Sequence, residues 1–91
     1  MTPAESLDIA EQKRRFHWQC RRGASEVEVV LNAYLERFFE VDDDERRARF
    51  ARLLECEDVD LLEWFTRRSQ PDDPELRAFV AELLDRVAQK R

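Results

Sequence analysis

The segment KRRFHWQCRR, residues 13–22, carries the side chains best suited to chemistry or recognition. Its five cations surround two large aromatic residues and the chain's only histidine, His17. Arginines and exposed aromatic rings can stack on a single nucleic-acid strand or anchor a protein interface. For nucleophilic catalysis, His17 would need a serine or cysteine and an orienting carboxylate from elsewhere in the fold. A hydrolase is therefore the weakest of these three hypotheses.

The charge of the whole chain helps to rank the hypotheses. The formal net charge is −5, and the acids are concentrated in residues 42–45 and 55–60. A nucleic-acid binder normally presents a basic field that displaces counterions from phosphates. We therefore expect no nucleic-acid partner, and an RNA-binding module that uses residues 13–22 is the alternative to a protein-binding surface.

The composition gives little support for a cofactor or metal site. Cys20 and Cys56 lack CxxC spacing, and only one histidine could join them in a zinc site. We expect both to be reduced and mostly buried thiols. The chain has no glycine-rich phosphate loop, so we expect no stably bound cofactor. The acids at residues 42–44 are interpreted as helix caps and solvated charge rather than as metal ligands.

The sequence also predicts where the protein resides. No stretch approaches the roughly 20 apolar residues of a membrane span, so we expect no membrane insertion. The N-terminal segment contains Glu5, Asp8 and Glu11, which are unfavourable in a mitochondrial presequence. We expect a cytoplasmic protein.

The elements that position residues 13–22 are predicted to be five helices in a single small all-α bundle. One glycine and three prolines leave few turn-forming residues for a sheet. The predicted domain comprises residues 1–91, with a helical core at about 7–88 and frayed ends at 1–6 and 89–91.

The first predicted helix begins at Ser6 or Asp8 and runs to about Arg22. Gly23, the only glycine, would then occupy the left-handed position that ends many helices. On this helix Ile9, Phe16 and Cys20 share one face. Trp18 lies about 200° from Phe16, where it either faces solvent as an interface anchor or is covered by another helix.

The other four helices are predicted from caps and apolar periodicity. Ser25 would cap the second helix in a capping box with Glu28. Asp42 or Asp43 would cap the third, and Asp58 the fourth. The fifth would begin with Asp73 as the cap and Pro74 as the first helical residue. The apolar residues at helical spacing on the second and fifth helices are Val27, Val30, Leu31, Tyr34, Leu35, Phe38, Leu76, Phe79, Val80, Leu83, Leu84 and Val87.

Three blocks, in order along the chain, resemble a known family. They are HWQCRRGASE, which contains an RGxxE motif, then LLECEDVDLLEW, and then QPDDPEL. The chain resembles the small succinate dehydrogenase assembly factors, also called flavinylation factors, of the SdhE type. The resemblance spans roughly residues 14–85.

The resemblance implies a helical bundle that binds the flavoprotein subunit of succinate dehydrogenase. It would promote covalent attachment of FAD to a histidine of that subunit, and fumarate reductase subunits are further candidate clients. No cofactor or catalytic group of its own is implied, so we expect no enzyme activity. We expect the free protein to be a monomer.

The resemblance also implies which residues contact the client. Arg22, Gly23 and Glu26 match the RGxxE motif directly. The flanking candidates are Arg21, Trp18, His17 and Glu28. We expect Arg22 and Glu26 to be exposed charges at helix ends, and Gly23 to allow close approach of the client's backbone because it lacks a Cβ atom.

Overall fold

The computed structural model describes residues 8–89, and within this range it contains five α-helices and no strand. They are α1 (Asp8–Gln19), α2 (Ser25–Arg37), α3 (Asp44–Leu54), α4 (Asp58–Phe65) and α5 (Pro74–Ala88). The prediction of an all-α five-helix bundle is confirmed. The fraying predicted at the chain ends lies outside the described residues, apart from Gln89, which caps α5.

The core forms around α2, which packs against α1, α4 and α5. Tyr34 of α2 has its ring centroid 4.4 Å from that of Phe50 on α3. Phe16 of α1 contacts Phe39 and Phe50 edge-on, with centroids 5.6 and 6.0 Å away. Cys20 is fully buried, and Ile9 and Phe16 pack against the core. The predicted inward face of α1 is therefore confirmed.

Two of the predicted helix caps are confirmed. The Asp43 side chain accepts a hydrogen bond from the Arg46 backbone N–H at 2.9 Å. Asp73 accepts one from the Glu75 N–H at 3.0 Å, and Pro74 is the first residue of α5. In both cases the capping residue and its partner are close in sequence, so the residue preferences at helix N-termini were enough to predict the cap.

The other two predicted caps are wrong. Ser25 and Asp58 are the first residues of α2 and α4, whose caps are Ala24 and Glu57, and neither cap uses its side chain. The predicted capping box fails because Glu28 accepts a hydrogen bond from a more distant backbone group, the N–H of Arg22. The Asp58 carboxylate is likewise directed toward another part of the chain.

Within residues 8–89, the left-handed residue that ends a helix is Arg67, not Gly23. Helix α1 ends at Gln19, and Gly23 does not have a positive φ, so its predicted left-handed role is wrong. Arg67, by contrast, follows α4 with a φ of 64°. Its N–H donates to the Trp64 carbonyl, and the next N–H donates to the Glu63 carbonyl at 2.9 Å. These two bonds form a Schellman motif.

Arg67→Gly is expected to stabilise the fold by about 1 kcal/mol, because glycine adopts positive φ without the steric cost of a Cβ atom. The melting temperature should rise by several degrees. Thermal denaturation followed by circular dichroism measures this, and a lower melting temperature would contradict the assignment of Arg67 as a strained helix end.

Asp42 joins the α2–α3 connection to α5. Its carboxylate accepts hydrogen bonds from the Tyr34 hydroxyl at 2.8 Å and from two Arg86 nitrogens, each at 3.0 Å. Its side chain is only 7% exposed. Burial alone would raise the pKa of this carboxyl, yet the hydrogen bonds from Arg86 and Tyr34 hold it below its usual value. Asp42 is therefore a structural carboxylate rather than a cap.

Asp42→Asn is expected to lower the free energy of unfolding by about 1.5 kcal/mol at pH 7, because Arg86 loses its charged partner. A carboxyl with a depressed folded pKa stabilises the fold above its unfolded pKa of about 3.9, and that contribution disappears as the pH falls through the folded value. The difference between parent and variant should therefore shrink below about pH 4. Urea unfolding of both proteins at pH 7 and pH 3 measures this difference in the free energy of unfolding. A difference that does not change with pH would argue against the Asp42–Arg86 ion pair.

None of the helices within residues 8–89 is both long and apolar enough to cross a membrane.

Candidate functional site

The elbow, defined as residues 20–24 between α1 and α2, is fastened to the start of α4 by Arg22. Its Nε donates to the Gln19 carbonyl at 2.8 Å. One terminal nitrogen donates to the Cys56 carbonyl and to Asp58 Oδ1, both at 3.1 Å, and the other donates to the Leu54 carbonyl at 2.5 Å. A planar guanidinium can satisfy four acceptors in this way because its donors are fixed in a fork.

Asp58 completes this attachment from the α4 side. Its Oδ2 accepts a hydrogen bond from the Gly23 backbone N–H at 3.0 Å, and its Oδ1 contacts Arg22. The Gly23 hydrogen bond, together with the Arg22 guanidinium, lowers the pKa of the Asp58 carboxyl. Asp58 therefore stays ionised throughout the neutral range and positions the elbow by both charge and hydrogen bonding.

Arg22 and Glu28 are positioning residues, and the expectation that Arg22 is an exposed helix-end charge is wrong. The Arg22 side chain is only 13% exposed. Glu28 is half-buried, and its Oε2 accepts a hydrogen bond from the Arg22 N–H at 2.7 Å. Both belong to the hydrogen-bond network that holds the elbow in place.

The remaining candidates near the elbow are exposed. Trp18 is 67% exposed, with the Arg21 guanidinium carbon 5.5 Å from its ring centroid. Gly23 and Glu26 are also exposed, and Glu26 forms no ion pair or side-chain hydrogen bond with any residue in the described range 8–89. Of the two alternatives for Trp18, the structure shows the exposed one. These four residues form the exposed elbow surface.

His17 is exposed but lines a different depression. Its neighbours there include Lys13 of α1 and Glu36 near the end of α2. Trp18 instead lines a shallow depression together with Glu11 and two arginines of α1. Among the described residues, His17 and Trp18 therefore line two separate depressions, which share Arg14.

Both cysteines are free thiols. Cys20 is fully buried, and this burial raises the pKa of its thiol to about 11. Burial and nearby acids also raise the pKa of Cys56, which is only partly buried because it lies in the connection between α3 and α4. The prediction of a buried thiol is thus confirmed for Cys20, while Cys56 is more accessible than expected.

The elbow and its support on α4 lie within a region that matches a known protein family. The model of that family, described as the flavinator of succinate dehydrogenase, matches residues 14–87. The chain belongs to this family. The resemblance inferred from the three sequence blocks is therefore confirmed.

Individual proteins also match this chain over most of their own length. The FAD assembly factor SdhE of Pseudomonas aeruginosa is 43% identical over 74 residues, which is 81% of this chain and 88% of the relative. The protein of the same name from Shewanella oneidensis is 38% identical over 84 residues, which is 92% of this chain and 98% of the relative. That of Idiomarina loihiensis is 34% identical over 83 residues, covering 91% and 92%.

Sequence reasoning missed the role of Asp58 as a support of the elbow. The contacts that define its role connect positions 35 and 36 residues apart in the chain. No local spacing rule relates such positions. The sequence did include Asp58 in the second block of the resemblance, LLECEDVDLLEW, but it gave no indication that this acid contacts Gly23.

Proposed function

We propose that this protein is an FAD assembly factor that binds the flavoprotein subunit of succinate dehydrogenase and promotes covalent attachment of FAD to it. Membership of the flavinator family supports the client and the reaction. The observation that supports the site is the exposed elbow surface, in which Glu26 has no ionic partner among residues 8–89 although Arg22 and Asp58 hold the neighbouring backbone.

The proposed mechanism is positioning of the client rather than donation of a catalytic group. The network around Arg22 orders the elbow before the client arrives, so little conformational entropy is lost at this surface on binding. The binding energy is then available to stabilise the arrangement of the client in which FAD and its acceptor histidine are aligned. We propose accordingly that the protein is not itself an enzyme and holds no FAD stably.

The location and further partners belong to the same proposal. Two free thiols suit a reducing compartment, and we place the protein in the cytoplasm. Fumarate reductase flavoprotein subunits are proposed as additional clients. We propose that the free protein is a monomer.

The RNA-binding alternative is not favoured. Of the five cations at residues 13–22, Lys13 pairs with Glu40 at 3.3 Å, and the Arg22 guanidinium is already paired with Asp58. That leaves three arginines for phosphate contacts on a chain of net charge −5.

Reconstitution tests the proposed function directly. The purified flavoprotein subunit lacking covalent flavin is incubated with FAD, with and without this protein, and covalent flavin is measured by in-gel fluorescence. We expect the protein to accelerate attachment and to co-purify with the subunit. Equal rates with and without the protein, together with unchanged covalent flavin in a deletion strain, would refute the proposal.

Gly23→Ala separates the fold from the client contact. Gly23 does not have a positive φ, and an added Cβ would lie 3.7 Å from Asp58 Oδ2, an ordinary contact. We expect the melting temperature to stay within a few degrees, whereas affinity for the client falls about tenfold if its backbone packs against Gly23. Titration calorimetry with the purified subunit measures this, and unchanged affinity would show that the missing Cβ has no role at the interface.

A further inference from the structure

A groove of about 270 Å³ lies beyond the C-terminal end of α4, between the α4–α5 connection and the side of α5. Apolar side chains contribute much of its lining, among them Trp64 from α4 and Val80 and Leu84 from α5. These three residues also belong to the core or pack against it. The groove is therefore a preformed depression with a rigid apolar wall, large enough for one or two side chains.

The polar part of the groove is cationic. Its lining residues within the range 8–89 include Arg67 and Arg77 but no carboxylate, in a chain whose net charge is −5. Arg77 is held in place, because its Nε donates to the Pro71 carbonyl at 3.2 Å and one terminal nitrogen donates to the Asp72 carbonyl at 3.0 Å. Its second terminal nitrogen makes no hydrogen bond with the described residues. An immobilised guanidinium of this kind suits a carboxylate.

Arg67 supplies the second cation from a backbone conformation that arginine rarely adopts. Its φ is 64°, at the position of the Schellman motif where glycine is usual. Its guanidinium makes no hydrogen bond or ion pair with any residue in the described range. A strained residue whose side chain is also unpaired is better explained by a contact outside the fold than by its contribution to stability.

We propose that this groove, together with Arg67 and Arg77, binds an acidic peptide segment of the client flavoprotein in which an Asp or Glu lies beside a bulky apolar residue. The apolar side chain occupies the depression against Trp64 and Val80. The carboxylate pairs with the two guanidinium groups. This inference rests on the proposed function, because it takes the flavoprotein subunit as the partner, and it adds a second contact to the exposed elbow surface.

The two contacts are supported at opposite ends of one helix, α4. Asp58, which supports the elbow, is the first residue of α4, and Arg67 follows the last residue of α4 by two positions. Eight residues span about 12 Å at 1.5 Å each. A single contact leaves a bound client free to rotate, whereas two contacts separated by a rigid helix fix its orientation, as a positioning mechanism requires.

Site-specific crosslinking tests the groove in the full-length protein. Photoreactive benzoylphenylalanine is placed at Ala81, an exposed residue that lines the groove, and in a second variant at Ser25, exposed beside Glu26. After irradiation with the purified flavoprotein subunit, the crosslinked peptides are sequenced. We expect both positions to crosslink to the subunit, and position 81 to react within a segment that contains an acid beside a bulky apolar residue.

The outcomes separate the two proposals. Crosslinking from position 25 but not from position 81 would overturn the groove and leave the proposed function standing. A crosslink from position 81 only to a second copy of this chain, or to a client segment without a carboxylate, would also overturn it. No crosslink from either position would also overturn the groove, and it would refute the proposed function as well if the protein does not accelerate flavin attachment in the same mixture.

A pair of charge variants provides the quantitative test. Arg67→Gly removes a groove cation while keeping the left-handed backbone, so misfolding cannot account for lost binding. Arg68→Ala removes the same charge one residue away, outside the groove lining. We expect affinity for the flavoprotein subunit to fall about tenfold in Arg67→Gly and less than twofold in Arg68→Ala. Equal losses in the two variants, or none in Arg67→Gly, would overturn the proposal.

Discussion

Arg22→Ala is expected to lower the free energy of unfolding by about 3 kcal/mol and to abolish client flavinylation. The substitution leaves three carbonyls and the Asp58 carboxylate without the guanidinium that now satisfies them. The Arg22 side chain is largely buried although Asp58 is 41% exposed, so the main cost is that of leaving the backbone carbonyls around it without a donor. The melting temperature should fall by roughly 15 °C, as measured by circular dichroism.

Arg22→Lys is the matched control, because it keeps the positive charge but lacks the planar set of N–H donors of a guanidinium. A lysine ammonium has three donors on one atom and cannot reach all the acceptors that are spread around the edge of the planar guanidinium. We expect a stability between those of the parent and the alanine variant. A melting temperature of Arg22→Ala within a few degrees of the parent would show that the elbow does not depend on this network.

The RGxxE motif shows why motif matching and structural role can diverge. The motif correctly located the elbow, yet it groups Arg22, which is largely buried, with Glu26, which is exposed. Arg22 is 13% exposed, and its partners lie mainly in the segment from Leu54 to Asp58. Burial of an arginine depends on what folds over it, and contacts separated by more than 30 residues leave no periodic pattern in the sequence.

Helix ends also show that local sequence patterns do not predict contacts between residues far apart in the chain. Asp43 and Asp73 were predictable because each accepts from a backbone N–H two or three residues later. The left-handed prediction for Gly23 depends on its residue type and on a helix that ends near Arg22, whereas α1 ends at Gln19 and Arg67 has the positive φ. Residue preference at helix ends is a weak constraint when tertiary hydrogen bonds, such as the one from Gly23 to Asp58, determine the local backbone.

Amphipathic periodicity was the most reliable source of information about the fold. The apolar stripes of α2 and α5 predicted the buried faces, since Leu31, Tyr34, Phe79 and Leu83 are all nearly or fully buried. Periodicity works here because the burial of a helical face requires many apolar residues at regular spacing. It could not place the groove beyond α4, whose shape depends on a Schellman motif and a connecting segment.

Glu26→Ala is expected to remove client flavinylation while leaving the fold intact. Glu26 is exposed and has no ionic partner within residues 8–89, so its contribution to stability is limited to the helix dipole of α2, about 0.3 to 1 kcal/mol. At an interface, a carboxylate that meets a cationic partner can contribute 2 kcal/mol or more. We therefore expect affinity for the flavoprotein subunit to fall thirtyfold or more.

The decisive comparison is with Glu36→Ala, because Glu36 is an exposed acid at the opposite end of the same helix. Calorimetric titration and in-gel flavin fluorescence should show a loss for Glu26→Ala and near-parent values for Glu36→Ala, with both melting temperatures within a few degrees of the parent. Glu26→Gln extends the test, since it keeps the shape and hydrogen-bonding capacity but not the charge. If Glu26→Gln binds like the parent, the client recognises Glu26 by hydrogen bonding alone. If Glu26→Ala also flavinylates normally, the exposed elbow surface is not the client contact.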